Sequence, residues 1–340
     1  MPCFHPIKGY FSNRVNKNGK RPLVFSPDNA VFPNPQFIPC SRCFGCRLDR
    51  AHQWAVRCMH EASMHDHNCF ITLTFDDKHL GDGSLHKDDF QNFMKRLRKK
   101  IHPLKVRYFH CGEYGSKHDR PHHHAIIFGY DFKDKIEWQD KNGVKTYLSE
   151  ELMELWPDGF STISGVTFDS CAYVTRYVLK KWSSLDLQGE ELFETMKQFD
   201  ISRGCLVKGS WDGVDILESL DIDLKDVVPS VSRRDFYSGK LPEYVSMSLK
   251  PGIGEEWFCN FYKDIYPSGF VVINHGRKVK PPKFYDLKYE VDFPFDSAMV
   301  KAERAKRSLL KQYTQADLDL KEFIQMQSIN QLNRSYENAD

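Results

Sequence analysis

The chain has 340 residues, enough for one large domain or two, and its 41% hydrophobic and 28% charged residues are the balance of a globular protein. With 48 basic and 46 acidic side chains the net charge is +2, so total charge alone does not mark a polyanion binder. No apolar stretch approaches the length of a membrane span, Met1 to Pro6 lack a signal peptide's apolar core, and ten cysteines without a secretory signal argue against a disulfide framework.

Residues 1–66 read as a Cys- and Pro-rich leader followed by a helix over Leu48 to His65. Cys40, Cys43 and Cys46 form a Cys-x-x-Cys-x-x-Cys run, and Cys58 follows twelve residues later. Four thiolates suit a structural Zn²⁺, with Cys3 or His5 able to replace one of them. The same spacing occurs in iron–sulfur ligation, and unliganded thiols are the third reading. Cys69, Cys111 and Cys171 fall inside expected core elements and read as small buried hydrophobes.

A core over residues 67–185 starts with a strand at 68–75, closed by Asp76 and Asp77, which read as turn residues. A helix over 87–101 turns Phe90, Phe93, Met94, Leu97 and Ile101 inward. Its outer face holds Lys95, Arg98 and Lys99, within a run of seven basic residues and no acid between Gln91 and Arg107. That stripe suits phosphates, or is an ordinary solvated helix face.

Strands at 105–113 and 122–129 follow, joined by a turn-like segment. Side chains alternate along a strand, so His122 and His124 point one way and His123 the other. A hairpin brings Glu113 beside that pair, and two imidazoles with a carboxylate suit Mg²⁺ or Mn²⁺ when coordination positions stay open for substrate oxygens. The alternative is a solvated cluster at a strand end.

A short helix near 149–155, a strand at 160–167 and a helix at 169–182, with Asp169 or Ser170 as its cap, complete the core. Tyr173 and Tyr177 lie at i, i+4 on one face of this last helix, flanked by Arg176 and Lys180. Two aromatic residues at this spacing also suit an ordinary packed helix. Helices among antiparallel strands give an α+β fold. Residues 186–295 read as an accessory region, with a variable insertion at 186–230, turns and a hairpin near Asn274-His275-Gly276. Arg277 and Lys280, close to Phe284 and Tyr285, can track a nucleic-acid backbone or lie in a plain surface loop. Residues 296–340 read as a charged helical tail.

Together the Thr-rich strand Phe70–Phe75, the histidine strand and the Tyr-x-x-x-Tyr helix resemble the three motifs of HUH endonucleases. The runs Pro39–Arg47, Gln53–Glu61, Cys111–Gly115, Lys250–Gly254 and Phe270–Asn274 resemble the replication initiators of gokushoviruses, small single-stranded DNA phages of the microvirus family. The resemblance spans roughly residues 1 to 290. It implies a central antiparallel sheet with the metal pair His122 and His124 on a middle strand and the tyrosines on a helix across it. The implied activity is nicking of single-stranded viral DNA and the replicative-form origin, through a 5′-phosphotyrosine intermediate, followed by rejoining. It also implies a host helicase or polymerase as partner and the bacterial cytoplasm as compartment, with no membrane. A transposase or relaxase built on the same core, and a non-catalytic zinc-stabilised DNA-binding protein, are the alternatives.

Two positions depart from that family. His123 stands where an apolar or aromatic residue is usual, and Arg176 where lysine is common. Arginine keeps the charge but does not exchange protons, so Lys180 or metal-bound water takes over any proton transfer at that place.

Overall fold

Prolines at 22, 27, 33, 35 and 39 remove backbone donors and keep the N-terminal strands short. A computed structural model of the chain pairs β1 (Ile7–Phe11) with β2 (Leu23–Val24) on one side and β3 (Gln36–Ile38) on the other, both antiparallel. The structure describes residues 3–17, 19, 21–115, 118–141, 143–180, 240–266, 268–273, 276–309 and 313–330; at 176–180, 307–309 and 329–330 it describes the backbone only. The expected insertion at 186–230 therefore lies outside the described residues.

Helix α1 (Phe44–Ala62) begins four residues before the expected start and ends three before the expected end. Its end is fixed by Asn68, whose amide Nδ2 donates to the carbonyls of Ala62 and His65 and so satisfies acceptors that a helix terminus leaves open.

The chain divides into two compact units, one of Met1–Arg57 with Glu255–Ser335, the other containing Cys58–Gly254. The second is built on a seven-stranded sheet in which every neighbouring pair is antiparallel. In chain order its elements are β4 (Asn68–Phe75), α2 (Lys87–Lys100), β5 (Arg107–Tyr114), β6 (Pro121–Phe128), β7 (Ile136–Lys141), β8 (Val144–Leu148), α3 (Glu150–Leu155), β9 (Gly159–Ser164), α4 (Phe168–Lys180) and β10 (Tyr244–Met247). The spatial order is β10-β5-β6-β4-β9-β8-β7. The fold is thus α+β, as the order of expected elements implied.

All eight residues of β6 are buried, because the sheet is covered on both faces. On one face Cys69, Ile71, Leu73 and Phe75 of β4, with Ala125 and Ile127 of β6, pack against Phe90, Phe93, Met94 and Leu97 of α2 and against Leu152, Leu155 and Trp156. Burying each of these large side chains contributes about 1.5–3 kcal/mol. The alternate residues, Phe70 and Thr72 of β4 and His122 and His124 of β6, face the other way, toward α4.

Helix α4 starts one residue earlier than expected, and its cap is Thr167 rather than Asp169 or Ser170. The Thr167 hydroxyl accepts from the Ser170 amide at 3.2 Å, and the Ser170 hydroxyl accepts from the Thr167 amide at 2.8 Å. That reciprocal box satisfies two backbone donors and sets where the tyrosine helix begins. Asp76 takes the turn role: its Oδ1 accepts from the amides of Lys78 and His79.

In the first unit, α5 (Glu255–Ile265) and α6 (Lys283–Asp292) pack aromatic side chains together, with Phe258 stacked on Tyr285 at 5.2 Å. Between them β11 (Val271–Ile273) and β12 (Arg277–Val279) form the expected hairpin, whose turn residues 274 and 275 lie outside the described residues. The C-terminal helices are α7 (Pro294–Leu309) and α8 (Gln315–Asn330).

Candidate metal and tyrosine site

Strand register assembles the site. Glu113 of β5 pairs directly with His122 of β6, and Cys111 with His124, so the carboxylate and both imidazoles share one face of the sheet. The Nε2 atoms of His122 and His124 each lie 2.8 Å from Glu113 Oε1. From α4 the Tyr173 hydroxyl donates to the same oxygen at 3.0 Å. Two imidazoles from β6 and one phenol from α4 therefore converge on one carboxylate oxygen of β5.

The far sides of the two rings are held as well. His122 Nδ1 lies 3.1 Å from the Arg120 carbonyl, which only accepts, so Nδ1 carries the proton there. His124 Nδ1 lies 3.0 Å from the Thr72 hydroxyl. Fixing Nδ1 in this way aims both Nε2 atoms into the cluster, the orientation that metal-ligating histidines adopt. The ring planes of His122 and His124 stand 89° apart with centroids 5.0 Å apart, and the Tyr173 ring meets His124 edge-on at 5.1 Å.

Burial alone would raise the Glu113 pKa, but the charge of His124 and hydrogen bonds from His122 and His124 hold it down to about 2. The carboxylate is therefore ionised at neutral pH. The donor set of one carboxylate oxygen and two imidazole nitrogens, all within 4.8 Å of one another, fits a single metal ion. Tyr173 is 2% exposed and His122 7%.

His123 faces the opposite side, as alternation requires. Its Nδ1 meets His110 Nε2 at 3.1 Å, and His110 stacks on Phe90 of α2 at 3.6 Å. Burial pushes the His123 pKa down to about 3 and the His110 pKa well below the ordinary histidine value. These two rings are neutral packing groups within the α2 layer.

Comparison with known proteins places this site in a family. A family profile described as Replication-associated protein ORF2/G2P matches residues 68–182, the span that holds Glu113, His122, His124 and Tyr173. The chain is 30% identical over 305 residues to Replication-associated protein VP4 of Bdellovibrio phage phiMH2K, covering 86% of this chain and 79% of that protein. It is 29% identical over 237 residues to Replication-associated protein ORF2 of Spiroplasma virus 4, covering 67% and 71%. It is 36% identical over 153 residues to Replication-associated protein ORF4 of Chlamydia phage 1, covering 43% and 38%. The chain belongs to the phage replication-associated protein family. Within that family it is a gokushovirus-type replication initiator. No solved structure matches it.

Other expected site residues of this replication-associated protein fall in separate places. The side chains of Arg176, Tyr177 and Lys180 lie outside the described residues; only their helical backbone is described. Lys95, Arg98 and Lys99 are exposed on α2, the helix packed on the sheet face opposite Glu113 and Tyr173. Arg277 and Lys280 are exposed at β12 in the other unit.

The sulphur cluster is Cys3, Cys40, Cys43 and Cys46, with Cys3 in the place expected for Cys58. Cys58 is buried and sits twelve residues beyond Cys46 on the same helix, more than three turns away, so one rigid rod cannot bring both sulphurs to one ion. His5 stays out of the cluster and pairs with Glu322 at 2.7 Å. Cys3 Sγ lies 3.5 Å from Cys40 Sγ and 3.8 Å from Cys43 Sγ. Backbone amides of Phe4, Cys40 and Cys43 donate to the sulphurs of Cys43, Cys3 and Cys40. Burial would raise the Cys43 thiol, but amides of Cys46, Phe4 and His5 lower it to about 7. Burial and neighbouring thiols push Cys46 up, and burial outweighs the rest to push Cys3 up, so the four do not all ionise without a cation among them. Among the described residues no helix is long and apolar enough to cross a membrane.

Proposed function

We propose that this replication-associated protein is an HUH-type endonuclease that starts rolling-circle replication by nicking single-stranded viral DNA and the replicative-form origin, and later rejoins the strand. The reading is carried by the Tyr173 hydroxyl 3.0 Å from the carboxylate oxygen that both His122 and His124 address. A tyrosine oxygen forms a bond to phosphorus, the P–O3′ bond breaks, the phenolic proton leaves to solvent, and the departing 3′-oxygen takes up a proton. The product is a 5′-phosphotyrosine that stores the bond for rejoining.

Glu113, His122 and His124 would hold Mg²⁺ or Mn²⁺, which would supply positive charge near the scissile phosphate. Glu113 positions the phenol through its hydrogen bond. Held ionised by His124 and His122, its carboxylate acts in this reading as metal ligand and positioning group rather than as the base. Arg176 and Lys180, one turn apart on α4, carry charge to the phosphate, and Tyr177 serves the second transfer. Tyr173 is 2% exposed, so the proposed attack requires the ring to be uncovered as the strand arrives. Residues 67–185 form the catalytic core, acting in the host bacterial cytoplasm beside a host helicase or polymerase.

Incubation with a single-stranded origin oligonucleotide and Mn²⁺, followed by a denaturing gel, tests the reading. A covalent protein–DNA adduct that requires the metal and disappears with a chelator is expected; cleavage without any adduct would refute the tyrosine mechanism.

Zn²⁺ is proposed for the four sulphurs. Zn–S bonds of about 2.3 Å in a tetrahedron put sulphurs about 3.8 Å apart, close to the spacing seen here. Cys3→Ser is expected to lower the zinc bound per purified chain, measured by mass spectrometry, whereas Cys58→Ser leaves it unchanged. Equal zinc content in Cys3→Ser and the parent chain would dismiss this ligand set.

A further inference from the structure

The near-neutral total hides an uneven distribution of charge. Residues 1–57 hold nine Lys and Arg and two Asp, a net charge of +7, whereas the rest of the chain holds 39 basic and 44 acidic residues, a net of −5. The same segment exposes large aromatic rings: Phe25 is 65% exposed, Phe32 69% and Phe37 66%. Lys8 of β1 is the direct register partner of Phe37 of β3, so an ammonium and an uncovered ring stand side by side on one face of the small sheet. Arg14 is exposed just beyond the end of β1.

Uncovered rings beside cations, in a segment with only two acidic residues, are the chemistry that holds a single strand of nucleic acid: bases stack on the rings while the cations follow the phosphates. Paired bases in a duplex keep their faces covered and cannot use the rings in this way. We propose that the N-terminal sheet is a second DNA site, a stacking platform for single-stranded DNA, distinct from the Glu113–His122–His124–Tyr173 cluster in the other unit. The choice of DNA as the strand rests on the proposed nicking function. The Cys3–Cys40–Cys43–Cys46 cluster, in the same unit, ties residue 3 to the start of α1 and so brackets the three strands of the platform.

Fluorescence anisotropy of the full chain with labelled oligo(dT) of about 30 nucleotides, which carries no origin sequence and spans more than one typical stacking site, tests the platform. Phe37→Ala and Phe25→Ala are each expected to weaken binding about tenfold or more. Phe37→Leu keeps the apolar bulk but not the ring, and is expected to weaken binding nearly as much as alanine. Arg14→Gln is expected to reduce the dependence of affinity on salt. These residues are exposed, so the melting temperature and the zinc content of each variant should match the parent, which separates lost binding from lost folding.

Unchanged oligo(dT) affinity in Phe37→Ala would overturn the proposal. So would full rescue by leucine, an equal loss of affinity for duplex of the same length, or tighter binding to anionic phosphatidylglycerol vesicles than to oligo(dT). Adduct formation is read separately on a denaturing gel. Ring-dependent binding without any adduct refutes the tyrosine mechanism and leaves the platform standing, whereas an adduct without ring-dependent binding does the reverse.

Discussion

His124→Ala is expected to abolish metal-dependent adduct formation while leaving affinity for single-stranded DNA close to that of the parent chain. The loss follows from geometry: His124 Nε2 is one of two imidazole nitrogens 2.8 Å from Glu113 Oε1, and a single histidine with one carboxylate oxygen is too poor a donor set to retain a divalent ion at low concentration. A metal ion stabilises a reacting phosphate by several kcal/mol. At about 1.4 kcal/mol per tenfold, its removal lowers the rate by roughly 10³-fold or more. His122→Ala should behave alike.

His124 also fills space against Phe70 and Tyr173, so alanine costs some stability, and a thermal melt separates that cost from the chemical loss. His123→Ala is the informative contrast: it cuts into the α2 layer and lowers the melting temperature without touching the metal donors. Protons compete with the ion for the Nε2 atoms of His122 and His124, so metal affinity falls as pH falls. Metal affinity in His124→Ala equal to that of the parent chain, measured by calorimetry, would show that the ion is held elsewhere.

The parts of the molecule legible in its sequence are those where one physical signal dominated. Strand β4 and helix α2 have clear apolar patterns, and both fell within one residue of expectation. The convergence of Glu113 with His122 and His124 followed from alternation plus one hairpin, and the register of β5 on β6 delivers it. Strands β7 and β8 differ from expectation: β7 is largely solvent-exposed, with only Ile136 and Trp138 alternating against polar residues, and β8 is only half-buried, so neither carries a sustained apolar pattern. The Asn142-Gly143 pair between them was the available hairpin signal, and Gly143 does adopt a positive φ of 80°.

Helix α5 was missed for another reason: its aromatic residues pack onto α6, a partner some twenty residues away that local patterning does not reveal. The fourth sulphur was misassigned because spacing along the chain favoured Cys58, whereas the fold returns Cys3 across 37 residues to Cys40. The capping residue was misplaced by two or three positions because Thr167 precedes the apolar-patterned stretch and shows itself only through its exchange with Ser170.

Tyr173→Phe is expected to remove the first covalent adduct, and Tyr173→Phe with Tyr177→Phe to remove every adduct, in a chain that folds like the parent and melts only a few degrees lower. The substitution deletes one hydroxyl and keeps the ring that packs edge-on against His124 and Phe70, so structural cost is limited to one hydrogen bond of about 1.5–3 kcal/mol to a charged acceptor. Loss of the adduct would then report the nucleophile. Tyr173 is the expected first attacker because its hydroxyl sits 3.0 Å from Glu113 Oε1 in the ligand cluster. A cation held by His122, His124 and Glu113 would sit beside the Tyr173 hydroxyl. Tyr177→Phe is expected to leave the first adduct intact and to block only the second transfer. An adduct that survives Tyr173→Phe but vanishes in Tyr177→Phe would reverse the two roles, and Tyr173 would then serve to orient Glu113 toward the metal in the first cut.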